Sequence, residues 1–167
     1  MSGLSGSGKS TIAQQLAQLS GAMRLRSDAV RKQIAGIDIH AKGSNEIYTS
    51  KMTDKTYSRL IELGVQLAKR GYYVILDAKF DRQAKRQEAL ASAQAYGLPL
   101  TFLHCTAPAD VLKERVLQRS GDITDATVEV LAKQSMEAFN DSDPVAVVDT
   151  TRSTEEIRQQ LEQVFGH

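Results

Sequence analysis

The sequence predicts an α/β fold, a parallel sheet with helices on both faces, and three observations predict it. Residues Gly3 to Ser10 match G-x-x-x-x-G-K-[ST], a phosphate-holding loop that normally joins a buried strand to a helix. Tyr72 to Asp77 is a continuous apolar run ending in a carboxylate, as strands buried on both faces do. Strand-like and helix-like segments then alternate along the chain, the pattern of a parallel sheet wrapped by helices.

The 167 residues suit a single domain, 1–167, able to bury about 70% of its unfolded surface. Hydrophobic residues are 41% and charged residues 25%, ordinary for a soluble chain, and no apolar run is long enough to span a membrane. With no signal-peptide pattern, a cytoplasmic location is the expectation. A net charge of +1 disfavours a broadly basic nucleic-acid binder while leaving room for a local patch. The single cysteine, Cys105, excludes an internal disulfide framework and reads as a small buried residue.

In chain order, Ile12, Leu16 and Leu19 recur at helical spacing after the loop, and Gly21 stops that helix. Residues 22–26 read as a strand and Asp28 to Ala35 as a helix ended by Gly36. Residues 37–50 lack periodicity and read as a loop or lid. A helix from about Ser50 to Arg70 carries Tyr57, Leu60, Ile61, Leu63, Gly64 and Leu67 on its apolar face. After the 72–77 strand, residues 81–96 read as a helix, 100–105 as a strand, and 109–119 as a helix with Val111, Leu112, Val116 and Leu117 inward. A polar flap leads to a helix from Thr127 to about Phe139. Val145 to Asp149 is a strand, and a closing helix follows with Ser153 as N-cap and Glu156 in the capping-box position.

The loop's chemistry follows from its residue types. Gly3, Gly6 and Gly8 let backbone N–H groups, including those of Ser5 and Ser7, converge on an anion, and the helix after Gly8 adds its positive end. Lys9 reaches the outer phosphates as a point charge. The Ser10 hydroxyl suits a magnesium ligand, and Thr11 is placed to touch the inner phosphate. Asp77, closing its strand, suits the carboxylate that organises magnesium, usually through water; a cap on the following turn is the competing role.

Asp28 and Arg31 lie three apart at the end of the preceding strand. They share a helix face, where Asp28 can accept a hydroxyl proton and Arg31 can hold a polar or anionic group. A helix cap with an intrahelical ion pair is the alternative. Arg115 and Arg119 sit four apart before the flap, giving a lid at about 115–128 whose cations could close on a transferring phosphoryl group. Arg82, Lys85 and Arg86 either line the acceptor site or form a solvated face. His104, within a strand, reads as packed. ATP and Mg2+ are thus the expected cofactors, with a hydroxyl-bearing acceptor.

The stretches Gly3 to Thr11, Ser27-Asp28-x-x-Arg31, Val74 to Ala78 and Arg119 to Thr127 together resemble the small P-loop kinase-like proteins of the zeta-toxin, gluconate-kinase and polynucleotide-kinase group. The nearest likeness is to the C-terminal ATP-binding domain of two-domain bacterial proteins whose other half resembles an aminoglycoside phosphotransferase. The resemblance implies a three-layer P-loop NTPase fold with sheet order 2-3-1-4-5, a kinase acting on a small-molecule hydroxyl, Asp28 as base and Arg31 on the acceptor. Transfer to a 5′-hydroxyl of a polynucleotide, or an ATP-binding regulatory role in a two-domain protein, stand as alternatives. Only two residues precede Gly3, so the first, central strand is expected to be missing or truncated, possession of which would strengthen both stability and nucleotide binding.

Overall fold

A computed structural model describes residues 1–41, 43–118 and 128–165. Helix α1, Lys9–Ser20, springs from the glycine loop and ends at Gly21 in the left-handed region. Strand β1, Met23–Arg26, runs directly into α2, Ser27–Ala35. The predicted loop that follows holds one 3-10 turn, Asn45–Tyr48. The long helix α3, Ser50–Ala68, is opened by the Thr49 side chain, which accepts the Met52 N–H at 3.2 Å. Then come β2, Val74–Asp77, α4, Gln83–Gln94, β3, Phe102–Thr106, and α5, Ala109–Leu117. After the undescribed stretch come α6, Val128–Ala132, β4, Val145–Asp149, and α7, Thr154–Phe165. The capping box before α7 forms as expected, Ser153 N–H donating to Glu156 and Glu156 N–H to the Ser153 hydroxyl.

The strands form two parallel pairs, β1 with β2 and β3 with β4, and not one continuous five-stranded sheet. Between the pairs lie Met1, Ser2 and Gly3. Ser2 donates to the Leu103 carbonyl at 2.7 Å and accepts from Cys105 at 2.8 Å, an isolated parallel bridge to His104. On the other side the Met1 ammonium donates to the Leu76 carbonyl at 2.8 Å and Gly3 N–H to the Lys79 carbonyl at 2.9 Å. A single bridging residue does not make a ladder, and the hydrogen bonding therefore breaks at the place of the first, central strand, which was expected to be missing or truncated. Burial pushes the pKa of the Met1 ammonium below its usual 8.0.

Alternate residues of the strands feed two apolar cores, one per face. Ile75, Leu103, Cys105 and Val148 pack with Ile12 and Ala13 of α1 and Ile157 and Leu161 of α7. On the other face Phe102, Ala78 and Phe80 pack with Val30, Tyr57, Leu60, Ile61 and Ala89 from α2, α3 and α4. Helices on both faces are therefore present. Cys105 is buried in the first core, where desolvation raises its thiol pKa to about 11. His104 stacks on Phe139 with ring centroids 5.2 Å apart, and burial, with a smaller push from Arg86, lowers its pKa. It is packed, as its position in a strand suggested.

Some expected inward faces turn out. Leu19 is 69% exposed and Leu117 68%, while Ile12, Leu112 and Val116 are buried. The helix expected to Phe139 stops at Ala132, and the chain beyond it runs against Arg86. That arginine is fully buried, so it is neither a solvated face nor an acceptor group. It donates to the carbonyls of Phe80, Glu137 and Ala138 at 3.0, 3.1 and 2.5 Å and lies over the Phe139 ring at 4.2 Å. Lys85 is likewise engaged, with Asp54 at 2.8 Å and Glu88 at 3.0 Å.

Candidate functional site

The loop Gly3 to Gly8 closes over the N-terminus of α1, where the first turn's N–H groups have no helical partner. Gly6 adopts φ 80°, a conformation that residues with a Cβ rarely take. A Cβ there would also run into the Leu112 backbone carbonyl. Lys9 is buried along the loop and donates its ammonium to the Leu4 carbonyl at 3.2 Å, while Thr11 is exposed one position past Ser10.

The two magnesium candidates meet. The Ser10 hydroxyl donates to Asp77 Oδ1 at 3.2 Å, although the residues stand 67 positions apart. The parallel register places Asp77 opposite Arg26, at the ends of β2 and β1 beside the loop. Asp77 Oδ2 faces the other way, accepting from Arg24 Nε at 3.1 Å and Nη2 at 2.6 Å, with Arg26 Nε at 3.9 Å. One oxygen is thus anchored by arginine and the other turned to Ser10. Arg24 and Arg26 were not singled out from the sequence. Their signal was the two-residue spacing on a strand beside one ending in aspartate, since period two puts both side chains on one face.

Asp28 is the second residue of α2, two residues past Arg26, on the same strand-end edge. It lies with Asp81 and Arg31 within electrostatic reach of the Tyr57 hydroxyl, whose pKa burial drives well above the usual phenolic value. Tyr57 is core, accepting the Phe80 N–H at 3.2 Å. Arg31 is also buried: its Nη1 donates to the Ile47 carbonyl at 2.9 Å and to Thr53 at 3.2 Å, and its guanidinium lies 5.1 Å from the Tyr48 ring centre. It props the Asn45–Tyr48 turn from beneath.

Arg115 sits behind the loop. Its Nη1 donates to Thr150 Oγ1 at 2.8 Å and lies 3.4 Å from the Gly6 carbonyl, and Nη2 donates to the Thr150 carbonyl at 2.8 Å. Thr150 in turn donates to the Ser7 carbonyl at 2.9 Å. The loop is therefore braced by the end of β4, a link sequence spacing does not reveal. Arg119 and most of the 115–128 lid lie outside the described residues. Arg82 is exposed at the head of α4.

A further contact had no signal in the sequence. Beyond α6, the Gln134 carboxamide grips Ser5, its Oε1 accepting the loop N–H at 2.9 Å and its Nε2 donating to the hydroxyl at 3.0 Å. A carbonyl oxygen thus occupies one of the donors a phosphate oxygen would use.

Loop, strand-end aspartate and flanking layers define a P-loop nucleotide-binding domain. A family model described as "AAA domain" matches residues 1–140, and the chain belongs to that family. It is 30% identical over 132 residues to uncharacterised proteins of Mycobacterium tuberculosis (strain ATCC 25618 / H37Rv) and Mycobacterium bovis (strain ATCC BAA-935 / AF2122/97), matching 76% of this chain. The chain spans about a quarter of the length of those curated relatives, 26%.

Among solved structures, the Mycobacterium tuberculosis APS kinase CysC in complex with AMPPNP and APS superposes with a TM-score of 0.72 at 21% identity, covering 99% of this chain and 95% of that one. A gluconokinase from Sinorhizobium meliloti 1021 gives 0.71 at 22%, covering 99% and 89%. A sugar kinase from Janibacter sp. HTCC2649 gives 0.69 at 23%, covering 98% and 91%. The likeness is one of fold: this is the α/β architecture of the small P-loop kinases. Among the described residues no helix is long and apolar enough to cross a membrane.

Proposed function

We propose that this domain is an ATP- and magnesium-dependent phosphotransferase that moves the γ-phosphate of ATP to a hydroxyl of a small molecule. The observation that carries the reading is the meeting of Ser10 Oγ and Asp77 Oδ1 at 3.2 Å beside the loop. Two hard oxygen donors suit Mg2+, whose remaining ligands would be phosphate oxygens and water. The ion, when bound, would neutralise charge on the outer phosphates. The fold shared with proteins named gluconokinase, APS kinase and sugar kinase supports the same chemistry.

In this reading the backbone N–H groups from Ser5 to Thr11 hold the phosphates, the Gly3 N–H staying on the Lys79 carbonyl, and Lys9 swings from Leu4 to the β- and γ-phosphates. The acceptor oxygen forms a bond to the γ-phosphorus as the bond to the β–γ bridging oxygen breaks. ADP leaves with that electron pair. Asp28, at the strand-end edge, takes the acceptor's proton. Arg115 backs the loop, Arg119 would add charge from the lid, Arg31 holds the acceptor-side turn, and Arg82 faces the acceptor. Asp28→Asn is expected to lower transfer by about 10²- to 10⁴-fold with ATP affinity unchanged. Full activity in that variant would remove the base assignment.

A second reading has its own support. Because the chain spans only 26% of its curated relatives, it also suits an ATP-binding module that regulates other parts of a longer protein. Binding of ATP that survives the Asp28 change, with no acceptor phosphorylated, would favour it.

We also propose the finer strand order β1, β2, Met1 to Gly3, β3, β4, which is 2-3-1-4-5 when the N-terminal piece is counted first. The hydrogen bonds of Met1, Ser2 and Gly3 to both neighbours support it. About six apolar residues added before Met1 would then pair with β2 and β3 and replace a buried ammonium with a peptide. Such a chain is expected to melt higher and bind ATP more tightly; equal values for the two chains would sink the assignment.

A further inference from the structure

A polar cavity of about 260 Å³ opens between the end of β2 and the segment after α6. Its walls carry Lys79, Asp81 and Arg82 from the turn before α4, and Lys133, Gln134 and Glu137 from the opposite side. Two contacts tie it to the phosphate loop. The Lys79 carbonyl accepts the Gly3 N–H at 2.9 Å, and Gln134 grips Ser5. Gln134 thus lines the cavity and holds the loop at the same time. Asp81 in its wall also shares the surroundings of Tyr57 with Asp28.

The lining decides what fits. The Asp81 carboxylate is held by Lys79 at 3.1 Å, and Glu137 Oε2 accepts the Gln83 N–H at the start of α4 at 2.6 Å. Both acidic groups therefore have partners. Arg82 and Lys133 have no ion-pair partner among the described residues, and both are exposed. A guanidinium offers a planar fork to a carboxylate, sulfate or phosphate, and an ammonium adds a point charge. The volume lies just below the ~300 Å³ floor of ordinary small-molecule pockets, which suits a compact metabolite and excludes a folded polymer.

We infer that this cavity is the acceptor site and that the acceptor is a small hydroxyl-bearing anion, its charged group held by Arg82 and Lys133. The inference rests on the phosphotransferase reading for the word acceptor, while the binding of an anion at this place can be tested without it. Gln134 then acts as a partition: it must leave Ser5 before an acceptor hydroxyl can approach a terminal phosphate on the loop. This explains why a neutral, two-point side chain stands there, released without breaking an ion pair.

The test is a titration of the full chain, followed by backbone amide shifts in nuclear magnetic resonance, with glycerate and 3-phosphoglycerate as anionic probes and glycerol and glucose as neutral ones. ATP binding is measured in parallel by calorimetry. The expected result is that the anions shift amides at 79–82 and 133–135 and bind at least about tenfold more tightly than the neutral probes. A double variant, Arg82→Glu with Lys133→Glu, should weaken the anions by about tenfold or more and leave ATP affinity intact. Equal binding of neutral probes, anion shifts confined to other residues, or no shift with any anion would each overturn the inference while ATP binding stood. A wild-type chain that fails to bind ATP would overturn the phosphotransferase reading instead, and the anion titration would still decide the cavity.

Discussion

Asp77→Asn is expected to abolish magnesium-dependent use of ATP and to cost about 3 kcal/mol of stability. The Asp77 side chain is 2% exposed and carries three demands at once: Ser10 on one oxygen, and Arg24 with Arg26 on the other. Asparagine keeps the volume and removes the charge. Breaking a buried ion pair from one side costs roughly 3–5 kcal/mol, and the lower end applies because Arg24 stays 18% exposed and can be partly hydrated. Denaturant unfolding checks the stability and calorimetry with and without magnesium checks the ion. Arg24→Gln separates the two effects. It should destabilise the fold while leaving Ser10 and Asp77 Oδ1 able to serve the ion; loss of magnesium dependence in both variants would contradict this division of labour between the two carboxylate oxygens.

Gly6→Ala is expected to weaken ATP binding by about 10- to 100-fold with helix content unchanged. A left-handed backbone costs a residue with a Cβ about 1–2 kcal/mol, and here the added carbon also meets the Leu112 carbonyl, a backbone atom that cannot rotate away. The loop must therefore shift, and its N–H groups cease to converge. Gly36→Ala is the control. Gly36 has φ 70° and nothing near its would-be Cβ, so it should lose about 1 kcal/mol of stability and no ATP affinity. Equal ATP affinity for the Gly6 variant and the wild type would mean that the loop does not bind through its backbone.

The phosphate loop and the Asp77 strand could be read from the sequence because each is local: one spacing, one apolar run. The run overstated its strand, since Tyr72 and Tyr73 are 54% and 74% exposed and pairing starts at Val74. Leu19 and Leu117 kept the helical period yet fall near helix ends beyond the covering layers, where period alone does not guarantee burial. Arg86 was unreadable for a different reason. Its burial depends on carbonyls at 137 and 138, more than 50 positions away, and that same contact accompanies the early end of the helix expected there. The brace from Arg115 through Thr150 to Ser7, and the grip of Gln134 on Ser5, are likewise long-range side-chain bonds with no periodic trace. The sheet's central gap shows the opposite case, where a local motif normally implies a preceding strand and the structure has, in its place, a bridge at Ser2 flanked by one hydrogen bond each from Met1 and Gly3.

The most direct test of phosphoryl transfer is to incubate the chain with γ-labelled ATP, magnesium and a panel of sugars, sugar acids, aminoglycosides, nucleosides and 5′-hydroxyl oligonucleotides, and to follow the label. The expected result is label on a hydroxyl of a small anionic acceptor, lost in Lys9→Met, which removes the ammonium that Leu4 holds in readiness at 3.2 Å. Stoichiometric ATP binding with no label on any acceptor, or label on oligonucleotides alone, would contradict it.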